Sequence, residues 1–252
     1  MKILRITTSE DSEARVPEAE RAPAISARII TEMTGEPVEM VHRVFWPTPE
    51  FPEIVDSWLT KHAPDVVFLI VSSYAFTYES VPLRVERRLG KFGRLLNARA
   101  QQVADMHAIS DRRVFRLLRK GAFRLIGADA HFTPEEVLAQ TEAALRRVLK
   151  HEDVVLTVRG PRRPLAVDGG RKASALAERR RQFVNAGLKE MCGRNHVALH
   201  VFERPPFAID DKSFTFGDRI HTNAVAHKAE GQQQGEFIAN AWLTAHGRPA
   251  GE

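Results

Sequence analysis

The sequence predicts an α/β protein with a five-stranded parallel sheet, helices on both faces and a helical insertion. Five short apolar runs alternate with segments of helical periodicity, and strands that alternate with helices form βαβ units and parallel sheets. The clearest run, Val66 to Val71, is apolar throughout, as in a central strand with both faces covered. One long stretch, 83–149, has helical character and no strand pattern.

The first half of the chain supplies three of the strands. Residues 2–6 form a short β-branched run that ends in polar residues, and 38–44 is a second strand pattern. Between them, residues 22–33 place apolar side chains on one helical face, and Gly35 follows as a stop signal. Residues 51–62 group their apolar side chains in the same way, which predicts a short helix before the central strand.

The second half of the chain supplies the remaining two strands. Residues 152–158 form a strand pattern, and residues 173–191 form a helix with heavily charged faces. The fifth strand is predicted at 196–202 and the last helix at 223–243. We therefore expect one domain over residues 1–246, an insertion at about 83–128 and a loose tail at 247–252.

The composition is that of a globular protein, with 252 residues, 43% hydrophobic and 27% charged. Its single cysteine, Cys192, excludes an intramolecular disulfide. No apolar run approaches the roughly 20 residues of a membrane helix. Arg5 and Glu10 stand where a signal peptide would be apolar, so the expected location is the cytoplasm.

The predicted insertion is strongly basic. Between Arg84 and Arg124 there are twelve Lys or Arg residues and three acidic ones. This segment could be a cap that attracts an anionic substrate, a phospholipid surface or nucleic acid. It could also be a solvated helical face whose arginine stems cover apolar surface. No nucleic-acid-binding motif accompanies the charge, so nucleic acid is not an expected partner.

Loops at the carboxyl ends of parallel strands carry the functional residues of such sheets. The first of these loops contains Ser9 and Ser12, and the last contains Asp218 and His221 just before the terminal helix. Ser, His and Asp are the parts of a nucleophilic triad, because histidine can take a hydroxyl proton at neutral pH and a carboxylate can orient it. Asp-x-x-His also occurs by chance, as a loop Asp followed by a helix-entry His.

Taken together, this arrangement resembles the SGNH (GDSL-like) hydrolases, which have a three-layer flavodoxin-like sheet. That family places its nucleophile just after the first strand and an Asp-x-x-His near the C-terminus, often followed by x-Asn. The segment Asp218-Arg-Ile-His221-Thr-Asn223 matches this pattern. The run 64–71 also looks like the family's third strand, which leads into a loop that bears an Asn.

The sequence departs from the family pattern at three places. The family's Gly-Asp-Ser falls on Thr7-Thr8-Ser9, while a literal Asp-Ser occurs at Asp11-Ser12. Pro47 falls near the glycine that would donate an N–H to the oxyanion hole, and proline has no N–H. Tyr74 falls on or near the third block's Asn; its hydroxyl, or that of Ser72 or Ser73, could donate instead.

The resemblance implies a serine hydrolase of a carboxylic ester, or a related acyltransferase, that acts through an acyl-enzyme. Ser9 would be the nucleophile, with Ser12 as the alternative; His221 would be the base, and Asp218 would orient it. The expected substrate is a small-molecule or lipid-like ester, with no cofactor and no metal site. The alternative is a catalytically degenerate binding protein of the same fold that holds an anionic partner on its basic insertion.

Overall fold

The structure, a computed structural model, describes residues 1–7, 11, 13–44, 46–90, 117, 121–122, 125–162, 170–201, 212–216 and 221–248. Seven strands lie in these parts of the chain: β1 (Lys2–Thr7), β2 (Glu39–Val44), β3 (Val66–Ile70), β4 (Glu79–Ser80), β5 (Asp129–Ala130), β6 (Val155–Arg159) and β7 (Ala198–His200). The α-helices there are α1 (Ala22–Thr34), α2 (Phe51–His62), α3 (Tyr74–Thr77), α4 (Val81–Leu89), α5 (Pro134–Val148), α6 (Gly170–Arg194) and α7 (Ala224–Ala245).

Five strands form one parallel sheet in the order β2-β1-β3-β6-β7. The predicted five-stranded parallel sheet is therefore confirmed. β4 and β5 form a separate antiparallel pair, and β5 lies inside the stretch that the sequence predicts to be free of strands. A two-residue strand is too short to show any periodicity, so no sequence pattern distinguishes it from a loop.

Helices cover both faces of the sheet and make three layers. On one face, Leu4 of β1 and Val67 of β3 belong to a core that includes side chains of α2, α5 and α6. On the other face, Ile3 and Phe68 belong to a second core with Ile30 of α1 and residues of α7. Successive residues of a strand point to opposite faces, which is why neighbouring residues of β1 belong to different cores.

The helix ends follow local signals in the sequence. Gly35 ends α1 with a left-handed φ of 75° and donates its N–H to Thr31 O over 2.9 Å, so the predicted stop is confirmed. Asn223 precedes α7, and its side-chain oxygen accepts hydrogen bonds from the N–H groups of Val225 and Ala226. This cap fixes the point where α7 leaves the loop that carries His221.

In the described part of the chain, no helix is both long enough and apolar enough to cross a membrane. Cys192 is buried on α6, and burial raises its thiol pKa to about 11. Most of the basic insertion and residues 249–252 of the predicted tail lie outside the described residues.

Candidate active site

Of the predicted triad, the structure describes His221. Ser9 and Asp218 lie outside the described residues, as does the alternative nucleophile Ser12, so the triad remains a prediction. The His221 carbonyl accepts a hydrogen bond from the Phe216 N–H over 3.0 Å. Thr215 and Thr222 form an antiparallel bridge beside it. Backbone hydrogen bonds therefore hold His221 at the entrance to α7.

A buried carboxylate lies beside the imidazole of His221. Glu13 follows the carboxyl end of β1, and its Oε2 is 3.9 Å from His221 Nδ1. The Glu13 side chain is 4% exposed. The sequence offers no spacing signal for this contact, because the two residues come from opposite ends of the chain.

Arg15 holds the Glu13 carboxylate in place. Its backbone N–H and Nε donate to Oε1 over 3.0 and 2.8 Å, and its Nη2 donates to Oε2 over 3.0 Å. The Arg15 guanidinium also lies 4.0 Å from the centre of the Phe216 ring, which is a cation–π contact. Burial opposes ionisation of Glu13, but the hydrogen bonds and charge of Arg15 outweigh it and lower the Glu13 pKa to about 2.

The loop after β3 contains the hydroxyl groups predicted to stabilise an oxyanion. Ser72 and Ser73 are buried, and Tyr74, the first residue of α3, is half-buried. Ser72 Oγ accepts a hydrogen bond from the Tyr74 N–H over 3.2 Å. That N–H therefore has a protein acceptor. Pro47 is buried near the end of β2.

An aromatic group lies at the carboxyl ends of β2 and β3. Trp46 contacts His131 and Phe132 edge-on, with ring centres 5.1 and 5.3 Å apart. Tyr74 stacks on Tyr78 at 4.6 Å and lies 6.2 Å from His131. His131 and Phe132 come from the stretch predicted to have helical character and no strand, and nothing in the sequence there indicates that they meet Trp46. Burial and the charge of Arg87 lower the His131 pKa.

A buried ion network lies between the sheet and α7. Arg5 of β1 is fully buried; its Nε donates to Asp11 Oδ2 and its Nη2 to Gln234 Oε1, each over 2.6 Å. His42 Nε2 lies 3.8 Å from the same Asp11 oxygen. Burial alone would raise the Asp11 pKa, but the charge and hydrogen bond of Arg5 lower it. Asp11 is therefore ionised at neutral pH.

The same network continues at the end of β6. Arg162 donates to Glu230 of α7, and Arg159 Nη1 lies 3.9 Å from the other Glu230 oxygen. Arg159 and Arg162 are 4% and 6% exposed, so both guanidinium groups are buried with Glu230. Burial opposes ionisation of Glu230, but its pKa is lowered by these two guanidinium groups.

Acid should destabilise the protein through these carboxylates. The folded-state pKa values of Asp11, Glu13 and Glu230 lie below their ordinary values. Their stabilising effect is therefore complete above the unfolded-state pKa and is lost as pH falls through the folded-state pKa. For Glu13 that window runs from 4.5 down to about 2. Urea unfolding across it should show a steeper loss of unfolding free energy for wild type than for Glu13→Gln. Parallel curves would contradict this expectation.

No site for a metal is evident in the parts of the chain that the structure describes, where no three His, Cys, Asp or Glu side chains converge. Of the basic residues of the insertion, Arg84, Arg87 and Arg88 are described. Arg84 and Arg87 pair with Asp129, at 3.4 and 3.7 Å. Residues 91–116 lie outside the described residues, so binding of an anionic partner there remains a prediction.

Several solved structures share this fold over nearly their whole length. The esterase EstA from Pseudoalteromonas sp. has a TM-score of 0.55 at 8% identity and covers 96% of this chain and 98% of its own. Est24, a carbohydrate acetylesterase from Sinorhizobium meliloti, has a TM-score of 0.51 at 12% identity and covers 94% and 98%. A G-D-S-L family protein from Desulfitobacterium hafniense has a TM-score of 0.50 at 10% identity and covers 95% and 98%.

No family model and no curated protein matches the sequence. The likeness therefore lies in the course of the backbone, while the side chains differ at about nine positions in ten. It confirms the SGNH-type fold predicted from the order of strands and helices. The chain has the three-layer α/β fold that these esterases and the G-D-S-L family protein share.

Proposed function

We propose that the chain is an ester hydrolase of the SGNH type that uses Ser9, His221 and Asp218. The observation that carries the proposal is the place of His221. Its carbonyl is hydrogen-bonded to Phe216 at the entrance to α7, and the Glu13 carboxylate lies 3.9 Å from its Nδ1. A histidine beside a carboxylate is what a nucleophilic serine needs as its base. The shared fold supports the same function, since EstA and Est24 are esterases by name.

The reaction would proceed through an acyl-enzyme. Ser9 Oγ attacks the ester carbonyl while His221 Nε2 accepts the hydroxyl proton. His221 then returns that proton to the leaving alcohol as the C–O bond breaks. In the second half, His221 deprotonates a water, which attacks the acyl-enzyme; the carboxylic acid leaves and Ser9 regains its proton. Asp218 would keep the imidazole oriented throughout, and no cofactor takes part in these steps.

Donors to the oxyanion would come from two loops. Backbone N–H groups at the Ser9 turn would supply one hydrogen bond, and the hydroxyl of Tyr74 or Ser73 another. Loss of one such donor costs about 10²–10³ in rate, so we expect Tyr74→Phe and Ser73→Ala to identify the donor by this loss. The aromatic group around Trp46 lies at the same edge of the sheet and would form an apolar wall against the ester.

Labelling with a fluorophosphonate probe tests the proposal. Fluorophosphonate probes react with an activated serine, and EstA is inhibited by another phosphorus compound, monoethylphosphonate. We expect Ser9→Ala and His221→Ala to abolish labelling, with a loss of at least about 10³-fold in rate. Ser12→Ala should keep it. Labelling that survives in Ser9→Ala and disappears in Ser12→Ala would move the nucleophile to Ser12.

Folded wild-type protein that takes no label would overturn the hydrolase proposal. The alternative function, binding of an anionic partner by the basic insertion, would then be tested by liposome flotation at several salt concentrations. Binding by a charged surface of this kind weakens steeply as salt rises. Circular dichroism of each variant gives the control that loss of labelling is not loss of folding.

A further inference from the structure

We infer that Glu13 is a positioning residue for His221: its carboxylate faces Nδ1 and stabilises the imidazolium that forms when His221 takes a proton. The inference rests on the proposed function, and it assigns a role to a residue that lies outside the family's Asp-x-x-His motif. The contact that carries it is the 3.9 Å between Glu13 Oε2 and His221 Nδ1.

The environment of Glu13 suits this role. The side chain is 4% exposed, so water screens its interaction with His221 much less than it would at the surface. The His221 side chain is 35% exposed, which leaves the imidazole open to a substrate. When Nε2 accepts the serine proton, Nδ1 takes no part in that proton transfer. A carboxylate on that side can favour the charged ring without blocking proton transfer.

Glu13 is also held rigidly enough to orient the ring. Both of its oxygens accept hydrogen bonds from Arg15, whose guanidinium lies over the Phe216 ring. Phe216 in turn donates its N–H to the His221 carbonyl. Contacts of Arg15 and Phe216 thus link Glu13, in the segment after β1, to His221, just before α7.

Glu13 should remain ionised while His221 cycles between its two forms. Its pKa, lowered to about 2 mainly by Arg15, lies far below that of an ordinary histidine. The proton taken from the nucleophile therefore stays on the imidazolium, and Glu13 acts by charge and position alone. Arg15, which is paired with Glu13, is a further charged group that the His221 titration must take into account. Asp218 and Arg219 precede His221 in the sequence and lie outside the described residues.

The test is an NMR titration of His221 in wild type, Glu13→Gln and Arg15→Gln. The His221 signal among the ten histidines is identified by its loss in His221→Ala. Removal of the carboxylate should move the His221 titration midpoint to lower pH, and removal of the guanidinium should move it to higher pH. If the two substitutions merely displaced the loop, they would not shift the His221 midpoint in opposite directions. An unchanged midpoint in Glu13→Gln, or shifts of the same sign, would overturn the inference.

A matched control comes from α6, on the opposite face of the sheet from α7. There Arg181 donates from Nε and Nη2 to both oxygens of Glu178, over 2.9 and 2.6 Å, which is the same forked pair as Arg15 and Glu13. Glu178→Gln should leave the His221 midpoint unchanged. A midpoint that moved as far in Glu178→Gln as in Glu13→Gln would overturn the inference.

The same variants show the consequence for reactivity. We expect fluorophosphonate labelling of Glu13→Gln to slow about tenfold or more at neutral pH, because an adjacent opposite charge favours the imidazolium by such a factor. Glu13→Asp should recover part of the rate, and Glu178→Gln should match wild type. A Glu13→Gln variant that labels at the wild-type rate would overturn the role. If wild type takes no label, the proposed function fails, while the NMR titration still tests the coupling of Glu13 to His221.

Discussion

Arg5→Met should destabilise the protein by about 3–5 kcal/mol, because it removes one partner of a buried ion pair and leaves the other charged. Arg5 is fully buried, and it is bound to Asp11 and Gln234 at 2.6 Å each. Without the guanidinium, the Asp11 carboxylate stays in the interior with its Oδ2 3.8 Å from His42 Nε2. Burial lowers the His42 pKa, so this ring does not replace the lost positive charge at pH 7. Urea unfolding at pH 7 would measure the loss.

The same strand offers a control for this prediction. Lys2 pairs with Glu39 at 3.9 Å, and both side chains are substantially exposed, so Lys2→Met should cost less than about 0.5 kcal/mol. The double variant Arg5→Met with Asp11→Leu should lose less unfolding free energy than the sum of the losses in the two single variants, since it leaves neither charge of the pair without its partner. An Arg5→Met variant as stable as Lys2→Met would show that the buried ion network contributes little to stability.

Gly231→Ala should destabilise the protein by about 3 kcal/mol, at the upper end of the usual cost of overpacking. α1 and α7 pack so closely that a Cβ on Gly231 would lie 2.7 Å from the Ile25 Cβ and 2.9 Å from the Ala22 carbonyl oxygen. A backbone oxygen cannot rotate away as a flexible side chain can. The helices must therefore separate, which would also weaken the Ser26 hydrogen bond to the Gly231 carbonyl.

Gly193→Ala is the matched control for the Gly231 prediction. Gly193 lies near the end of α6 with nothing within 4 Å of the place its Cβ would occupy. Alanine there should raise stability by a few tenths of a kcal/mol up to about 1, because it restricts the unfolded chain and favours helix. Thermal or urea unfolding of both variants gives the comparison. A loss in Gly193→Ala equal to that in Gly231→Ala would contradict the packing argument.

The order of strands and helices was predictable because each long element has its own apolar pattern within a short segment of the sequence. β3 is apolar throughout and central, and Gly35 ends α1 as its place after the periodic run predicts. The sequence was uninformative where an element is shorter than a period, as at β4 and β5.

Arg5 carries two signals in the sequence. It is a charged residue where a signal peptide would be apolar, and it lies within an apolar strand pattern. Strand alternation places it on the same face as Ile3, in a strand predicted to be buried. A buried arginine requires an acidic or amide partner, so the sequence already implied such a partner. It did not identify Gln234, which is 229 residues away.

The α/β class, the parallel sheet and the edge at which functional loops are expected follow from apolar periodicity and from the few connections that βαβ units allow. The side chains that meet at that edge are known from the packed structure alone: Glu13 with His221, Trp46 with His131, and Arg162 with Glu230. Such contacts depend on how loops from distant parts of the chain are placed when the layers pack, and no local pattern records that placement.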